Sequence, residues 1–289
     1  MFGKLLTAMV TPFDAQGEVD YKRTAELADM LIATGTEGIV VTGTTGESPT
    51  LTHDEEFKLY KTVKDVAGNR ANVIAGTGSN STATTIASTK MAEEIGVDGA
   101  MIVVPYYNKP SQSGMLAHFG AIADNTKLPM IIYNIPGRTG INMLPETAVE
   151  LAKTSNYVAY KAASGNLEQI KKVIAAKPDD FVVYSGDDGL TLDILKAGGH
   201  GVISVASHIA GNDISAMIKA FVNGNVQEAE ALNNKLADLF KVLFITANPT
   251  PVKAALEMTW KSVGGLRLPL IDATQDEREQ VKKVLDNLG

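Results

Sequence analysis

Lys161 carries the strongest chemical signal in the sequence. It sits in Val158-Ala159-Tyr160-Lys161-Ala162-Ala163, an apolar run in which an ammonium is costly unless paired or deprotonated. Burial disfavours the charged form, and a neutral amine adds to ketones to give a Schiff base. The alternative is a strand-end lysine reaching back to water, an ordinary event in a chain with 21 lysines. Arg138 is one of only five arginines and sits in the turn-rich Pro136-Gly137-Arg138-Thr139-Gly140. Its rigid fork suits a carboxylate there, unless it is a plain surface-loop residue. Tyr133 ends an apolar run, so its hydroxyl is placed to relay a proton, unless the ring is core and the hydroxyl satisfied locally. The loop Gly43-Thr44-Thr45-Gly46-Glu47-Ser48 lacks the lysine of a phosphate loop and the glycine spacing of a dinucleotide fingerprint. Its hydroxyls and backbone N–H groups suit a small carboxylate instead.

Composition narrows the chemistry. There is no cysteine, which removes disulfides, thiolate nucleophiles and cysteine-type metal sites. His53, His118, His200 and His208 fall in no metal-binding spacing, so chemistry without cofactor or metal is expected. A net charge of −7 argues against a nucleic-acid or acidic-membrane partner. No apolar run approaches a membrane span, and no cleavage-site pattern follows the first ten residues. A cytoplasmic protein is expected.

These residues need a scaffold, and the apolar pattern supplies one. Eight nearly continuous apolar runs recur: Leu5–Val10, Gly38–Val41, Asn72–Ala75, Ala100–Val104, Met130–Tyr133, Val158–Tyr160, Phe181–Tyr184 and Gly201–Val205. Continuous rather than alternating runs indicate strands buried on both faces of a parallel sheet. Amphipathic segments lie between them, beginning with Tyr21–Thr34 and Thr52–Ala67; the second opens on a capping box of Thr52 and Glu55. A further helix is expected over 213–222. The α/β reading is a (β/α)8 TIM barrel over 1–224, followed by a three-helix C-terminal extension over 225–289; a doubly wound open sheet is the alternative. In a barrel the site forms at the C-terminal strand ends. There lie Thr44 and Thr45, Tyr106 and Tyr107, Tyr133 and Arg138, Lys161, Gly186 and Ser204.

The residues at these ends resemble a known family. Gly38-Ile39-Val40-Val41-Thr42-Gly43-Thr44-Thr45-Gly46-Glu47-Ser48 is similar to one signature of the dihydrodipicolinate synthase family. Tyr133-Asn134-Ile135-Pro136-Gly137-Arg138-Thr139-Gly140 with Tyr160-Lys161-Ala162-Ala163-Ser164-Gly165-Asn166 is similar to another. Pro105-Tyr106-Tyr107-Asn108-Lys109-Pro110 and Ser185-Gly186-Asp187-Asp188 also fit, and the resemblance runs from Leu5 to Leu270. It implies a Schiff-base lyase that condenses pyruvate with L-aspartate 4-semialdehyde in the diaminopimelate route to lysine. The implied assembly is a homotetramer of tight dimers. By the resemblance, Lys161 forms the imine, and Tyr133, Thr44 and Tyr107 relay protons, Tyr107 in the neighbouring subunit's site. Thr45 holds the pyruvate carboxylate, Arg138 receives the semialdehyde carboxylate, and Gly186 and Ile203 offer backbone carbonyls.

Two departures stand out. Ala162 follows Lys161 where many relatives carry Glu. In the effector pocket implied at the dimer interface (Ser48, Pro49, His53, Glu56, Asn80, Thr84 and Tyr106), Glu56 stands for a usual His and Thr84 for a usual Glu. Weak or absent inhibition by L-lysine is expected. The alternatives on the same scaffold are an N-acetylneuraminate lyase or keto-deoxy-sugar-acid aldolase, which would be expected to lack Arg138, and a non-catalytic member, which would not need Lys161, Tyr133 and Thr44 together.

Overall fold

A computed structural model describes residues 2–154 and 156–288. Eight parallel strands close into a barrel in chain order: β1 Leu5–Ala8, β2 Gly38–Val41, β3 Asn72–Gly76, β4 Gly99–Val103, β5 Met130–Asn134, β6 Tyr157–Ala162, β7 Val182–Ser185 and β8 Gly201–Ser204. Closure is made by β8 on β1, with Leu6 opposite Ile203. The closed barrel settles the choice against an open sheet.

Side chains alternate between two apolar clusters, as the pleat requires. Leu6, Val40, Ile74, Met101, Ile131, Ala159 and Ile203 fill the barrel interior, with Phe2 packed against them. Tyr160, Ala162, Val183 and Val202 belong to the outer cluster shared with the helices. Lys161 follows the parity of Ala159 and faces inward, whereas Ala162 faces outward. The missing carboxylate at position 162 therefore lies in the strand–helix packing rather than beside the Lys161 amine.

Helix starts are written locally. Thr52 and Glu55 form the expected reciprocal box before His53–Ala67. Ser81, Ser111 and Asn166 each accept from a backbone N–H in the first turn of the helix they open. The helix after β8 departs from expectation: it starts at Ser207, not 213, with a break at Ala210. The cause is distant in sequence. The carboxylate of Asp188 accepts from the N–H groups of Val205 and Ala206, both at 3.0 Å, and Ser204 Oγ accepts from Ser207 N–H at 2.8 Å. Those bonds end the strand and start the helix while the local pattern still reads as strand.

The extension comprises the helices Val226–Val242, Thr250–Thr259 and Gln275–Asp286. The first stops at Val242. The intervening turn carries Asn248 into the barrel mouth, as described below. Leu236, Leu239, Leu243, Val252, Leu256 and Val281 join the same outer cluster as the barrel helices.

Candidate active site

Lys161 is 6% exposed and lies in register between Tyr133 on β5 and Tyr184 on β7. Its Nζ stands 4.3 Å from the centroid of the Tyr133 ring. Burial pulls the Lys161 pKa down to about 8, the Asp188 charge opposes this, and the Arg138 charge adds to it. Against an ordinary lysine near 10.5, the fraction of neutral amine at neutral pH is about 300-fold larger. This is the condition a nucleophilic amine needs. Burial pushes the Tyr133 phenol above its ordinary value, while the neighbouring Thr44 side chain and the charge of Arg138 draw it back. Lys161, Tyr133 and Thr44 are thus brought together at the C-terminal end of the barrel.

Gly186 follows β7 and lies against the lysine stem. A Cβ there would stand 2.8 Å from Ala163 Cβ and 3.1 Å from Lys161 Cγ, so only glycine lets this backbone approach. Ile203 sits in β8 with its side chain in the interior cluster. Arg138 is exposed on the short helix Pro136–Thr139, which the sequence showed only as a turn; its Nη2 donates to the backbone oxygen of Asn248 at 3.4 Å. Tyr107 stays outside the cluster. It is 89% exposed, with a φ of 71° that a non-glycine residue seldom adopts.

The loop 42–48 is strained and pinned. Thr42 and Glu47 have φ of 54° and 56°, which costs on the order of 1 kcal/mol or more at each. Thr42 Oγ1 shares a 2.7 Å hydrogen bond with Tyr60 Oη. Glu47 is buried and pairs with Lys253 Nζ of the extension at 2.6 Å, and its other oxygen accepts from Arg267 N–H at 3.1 Å. Between these anchors Thr45 is buried, and its hydroxyl oxygen accepts from Asn248 Nδ2 at 2.9 Å. Farther along, Arg267 clasps Glu55 and donates to the carbonyls of Gly17 and Thr50, both at 2.8 Å. The Arg267 guanidinium holds the Glu55 carboxyl down at about 2.

The residues of the expected effector pocket spread over the loops beside this mouth. Ser48 opens the short helical turn Ser48–Thr50. His53 Nδ1 and Glu56 Oε2 lie 3.0 Å apart, with His53 exposed and Glu56 buried. Burial pushes the Glu56 carboxyl up to about 7, against the pull of His53. Asn80 O accepts from Asn108 Nδ2 at 2.8 Å, Thr84 bonds only to Ser81 in its own turn, and Tyr106 is exposed.

Sequence reasoning missed Asp188, Asn248, Lys253 and Glu47 as site-building residues. Lys253 had a usable signal: it interrupts the apolar Pro251-Val252-Lys253-Ala254-Ala255-Leu256 as Lys161 interrupts β6. Asp188, buried and ringed by Ser204 Oγ and two N–H donors, had none beyond its place after β7. A surface cleft lined by Asp124, Lys127, Thr154 and Asn156 opens at the N-terminal ends of β5 and β6, opposite Lys161. Among the described residues no group of three His, Asp or Glu side chains is placed to hold a metal, and no helix is long and apolar enough to cross a membrane.

The model of the dihydrodipicolinate synthetase family matches residues 1–288. The chain belongs to that family. It is 53% identical over 288 residues to the 4-hydroxy-tetrahydrodipicolinate synthase of Heliobacterium modesticaldum, covering 100% of this chain and 96% of that protein. Among solved structures, the dihydrodipicolinate synthase of Bacillus anthracis superposes with a TM-score of 0.97 at 49% identity, covering 99% of this chain and 98% of that one. The synthase of Cyanidioschyzon merolae, solved with lysine bound, superposes with a TM-score of 0.98 at 50% identity, covering 100% and 98%. Within the family, Lys161, Tyr133 and Thr44 form this chain's internal cluster, and Arg138 stands at its rim.

Proposed function

We propose that this chain is a 4-hydroxy-tetrahydrodipicolinate synthase, condensing pyruvate with L-aspartate 4-semialdehyde in the diaminopimelate route to lysine. The observation that carries the reading is the inward Lys161 amine, with its lowered pKa, against Tyr133 in a chain of this family. The neutral amine attacks the pyruvate ketone, and loss of water leaves the imine. The imine is an electron sink, so the methyl group gives up a proton and becomes an enamine. The enamine carbon attacks the aldehyde, whose oxygen takes a proton, and the adduct's own amine then displaces Lys161 as the ring closes. Tyr133 and Thr44 supply the proton path, so no cofactor or metal is required. Thr45 holds the pyruvate carboxylate, and the carbonyls of Gly186 and Ile203 face the substrate.

Arg138 favours this partner over a sugar aldehyde. A second carboxylate calls for a cation at the rim, and a polyol does not. The exposed, strained Tyr107 fits a residue that completes a neighbouring subunit's site within a homotetramer of tight dimers. We place the enzyme in the cytoplasm, and divide it into the catalytic barrel 1–224 and a three-helix extension 225–289 packed on it.

The test is turnover of pyruvate and L-aspartate 4-semialdehyde followed through a coupled reductase, with borohydride trapping of pyruvate on the protein. Trapping without turnover would move the aldehyde partner towards a sugar acid, and no trapping would remove the imine. A second expectation concerns the pocket of Ser48, His53, Glu56, Asn80, Thr84 and Tyr106. Thr84 offers no carboxylate to an α-ammonium group, and the Glu56 carboxyl is buried beside His53. L-lysine is therefore expected to leave the initial rate nearly unchanged, and a submillimolar half-inhibition constant would contradict this.

A further inference from the structure

Asn248 belongs to the turn between the first two helices of the extension, yet its side chain lies buried in the barrel mouth, 5% exposed. Its Nδ2 donates to Thr45 Oγ1 at 2.9 Å, and its backbone oxygen accepts from Arg138 Nη2 at 3.4 Å. Its Oδ1 is sealed from solvent with no partner. One residue thus touches both groups assigned to substrate carboxylates. Exchanging the two ends of the amide would not relieve the strain, because it would bury an NH2 with unpartnered protons, and orphaned donors are rarer than orphaned carbonyls.

The consequence falls on Thr45. A hydroxyl has one proton and two lone pairs. With its oxygen accepting from Asn248, the Thr45 O–H is not spent on that bond and is free to donate elsewhere. The acceptor suited to it is a carboxylate oxygen, whose hydrogen bond is charge-assisted.

We propose that Asn248 is a positioning residue: its side chain sets the polarity of the Thr45 hydroxyl so that it donates to the carboxylate of the 2-oxo acid, and its backbone oxygen docks Arg138. The proposal rests on the pyruvate reading above. It makes the C-terminal extension a working part of the site, fixing the direction of a hydroxyl without touching substrate.

The test compares Asn248→Asp with Asn248→Ala. Aspartate has the same shape and the opposite hydrogen bonding, so it draws the Thr45 proton towards itself. Alanine leaves the hydroxyl free to turn. The KM for pyruvate is expected to rise at least about tenfold in Asn248→Asp, the loss of one charge-assisted hydrogen bond, and less in Asn248→Ala. The kcat at saturating pyruvate should fall by a smaller factor in both. The KM for the semialdehyde should move little, because the oxygen that docks Arg138 is main chain. A residue that merely fills space predicts the reverse order, with the truncation worse than the isostere. In a Thr45→Val background the Asn248→Ala effect on pyruvate KM should vanish, and this cycle decides the matter if Asn248→Asp fails to fold. An unchanged pyruvate KM in both variants, or Ala worse than Asp, overturns the proposal while the parent still traps pyruvate under borohydride. A parent that traps no pyruvate overturns the functional reading itself, and this inference with it.

Discussion

Lys161→Ala is expected to give a folded protein with no turnover and no borohydride-trapped pyruvate, and Lys161→Met a protein that melts above the parent. The first result follows from the imine: among the described residues Lys161 Nζ is the amine placed against the Tyr133 ring in the barrel interior, so removing Nζ removes the electron sink, not merely one contact. The second follows from what the amine costs. A pKa lowered from 10.5 to about 8 means that the charged form is penalised in the folded state, on the order of 3 kcal/mol. Methionine fills a similar volume without that charge, so the penalty disappears; alanine leaves a void that offsets part of the gain.

The pH dependence has a definite sign. Between about 8 and 10.5 the unfolded chain holds a proton on Lys161 that the folded chain has released. Parental stability therefore gains from this group as pH rises through that window. Lys161→Met lacks that gain, so its advantage is fullest below about pH 8 and fades towards pH 10.5. Calorimetry of the two proteins across that range measures it directly. A Met variant less stable than the parent at pH 7, or an Ala variant that still traps pyruvate, would show that Lys161 is not the buried nucleophile. The rate of imine formation in the parent should climb with pH and level off above about 8, as the neutral amine becomes the majority form.

The largest loss of stability is expected at Lys253. Its ion pair with Glu47 is 2.6 Å long, with the two side chains only 3% and 1% exposed. Burial pulls the Lys253 pKa down, and Glu47 pulls it back up. Lys253 Nζ also donates to Gly265 O at 2.7 Å and lies 4.3 Å from the Phe13 ring centroid. Lys253→Met strands the Glu47 carboxylate in the interior with one remaining donor, Arg267 N–H. Breaking a buried pair from one side costs about 3–5 kcal/mol. For a chain of this size that is a drop in melting temperature of roughly 5–8 °C. Lys61→Met is the control: its pair with Asp65 is 70% and 65% exposed, so almost no change in melting is expected. Because Glu47 anchors the loop that carries Thr44 and Thr45, the Lys253 variant should also trap pyruvate more slowly at temperatures where it remains folded. A melting temperature within about 2 °C of the parent would mean that the pair contributes little.

The barrel was legible because its strands are buried on both faces, which leaves continuous apolar runs. Thr52 and Glu55 were legible as a cap because a cap is a four-residue pattern. The second role of Glu55 was not, since its partner Arg267 lies 212 residues away. Lys161 declared itself by sitting where a charge does not belong, and Lys253 did the same inside a helix. The first points to chemistry because it ends a barrel strand; the second lies in a helix of the extension, and only the closed fold shows that its partner is Glu47 in the loop after β2. Asn248 and Asp188 are ordinary polar residues in ordinary loops, and only the closed fold shows what they touch. The helix start at Ser207 belongs with them, decided by the Asp188 carboxylate against the local apolar pattern.

The clasp of Arg267, Lys253 and Asn248 on Glu55, Glu47 and Thr45 has a meaning for how the chain is made. Each of these bonds joins residues more than 200 positions apart, and such contacts must await closure of a correspondingly long loop. A ribosome delivering the chain from its N-terminus exposes all eight strands before the residues that order the loop after β2 emerge. The barrel can begin to close during synthesis, while the mouth is finished only when the last fifth of the chain arrives. A product truncated before Asn248 would carry Lys161 without the residues that order the loop after β2. The extension and the loop after β2 therefore have to match one another, through Asn248 to Thr45, Lys253 to Glu47 and Arg267 to Glu55.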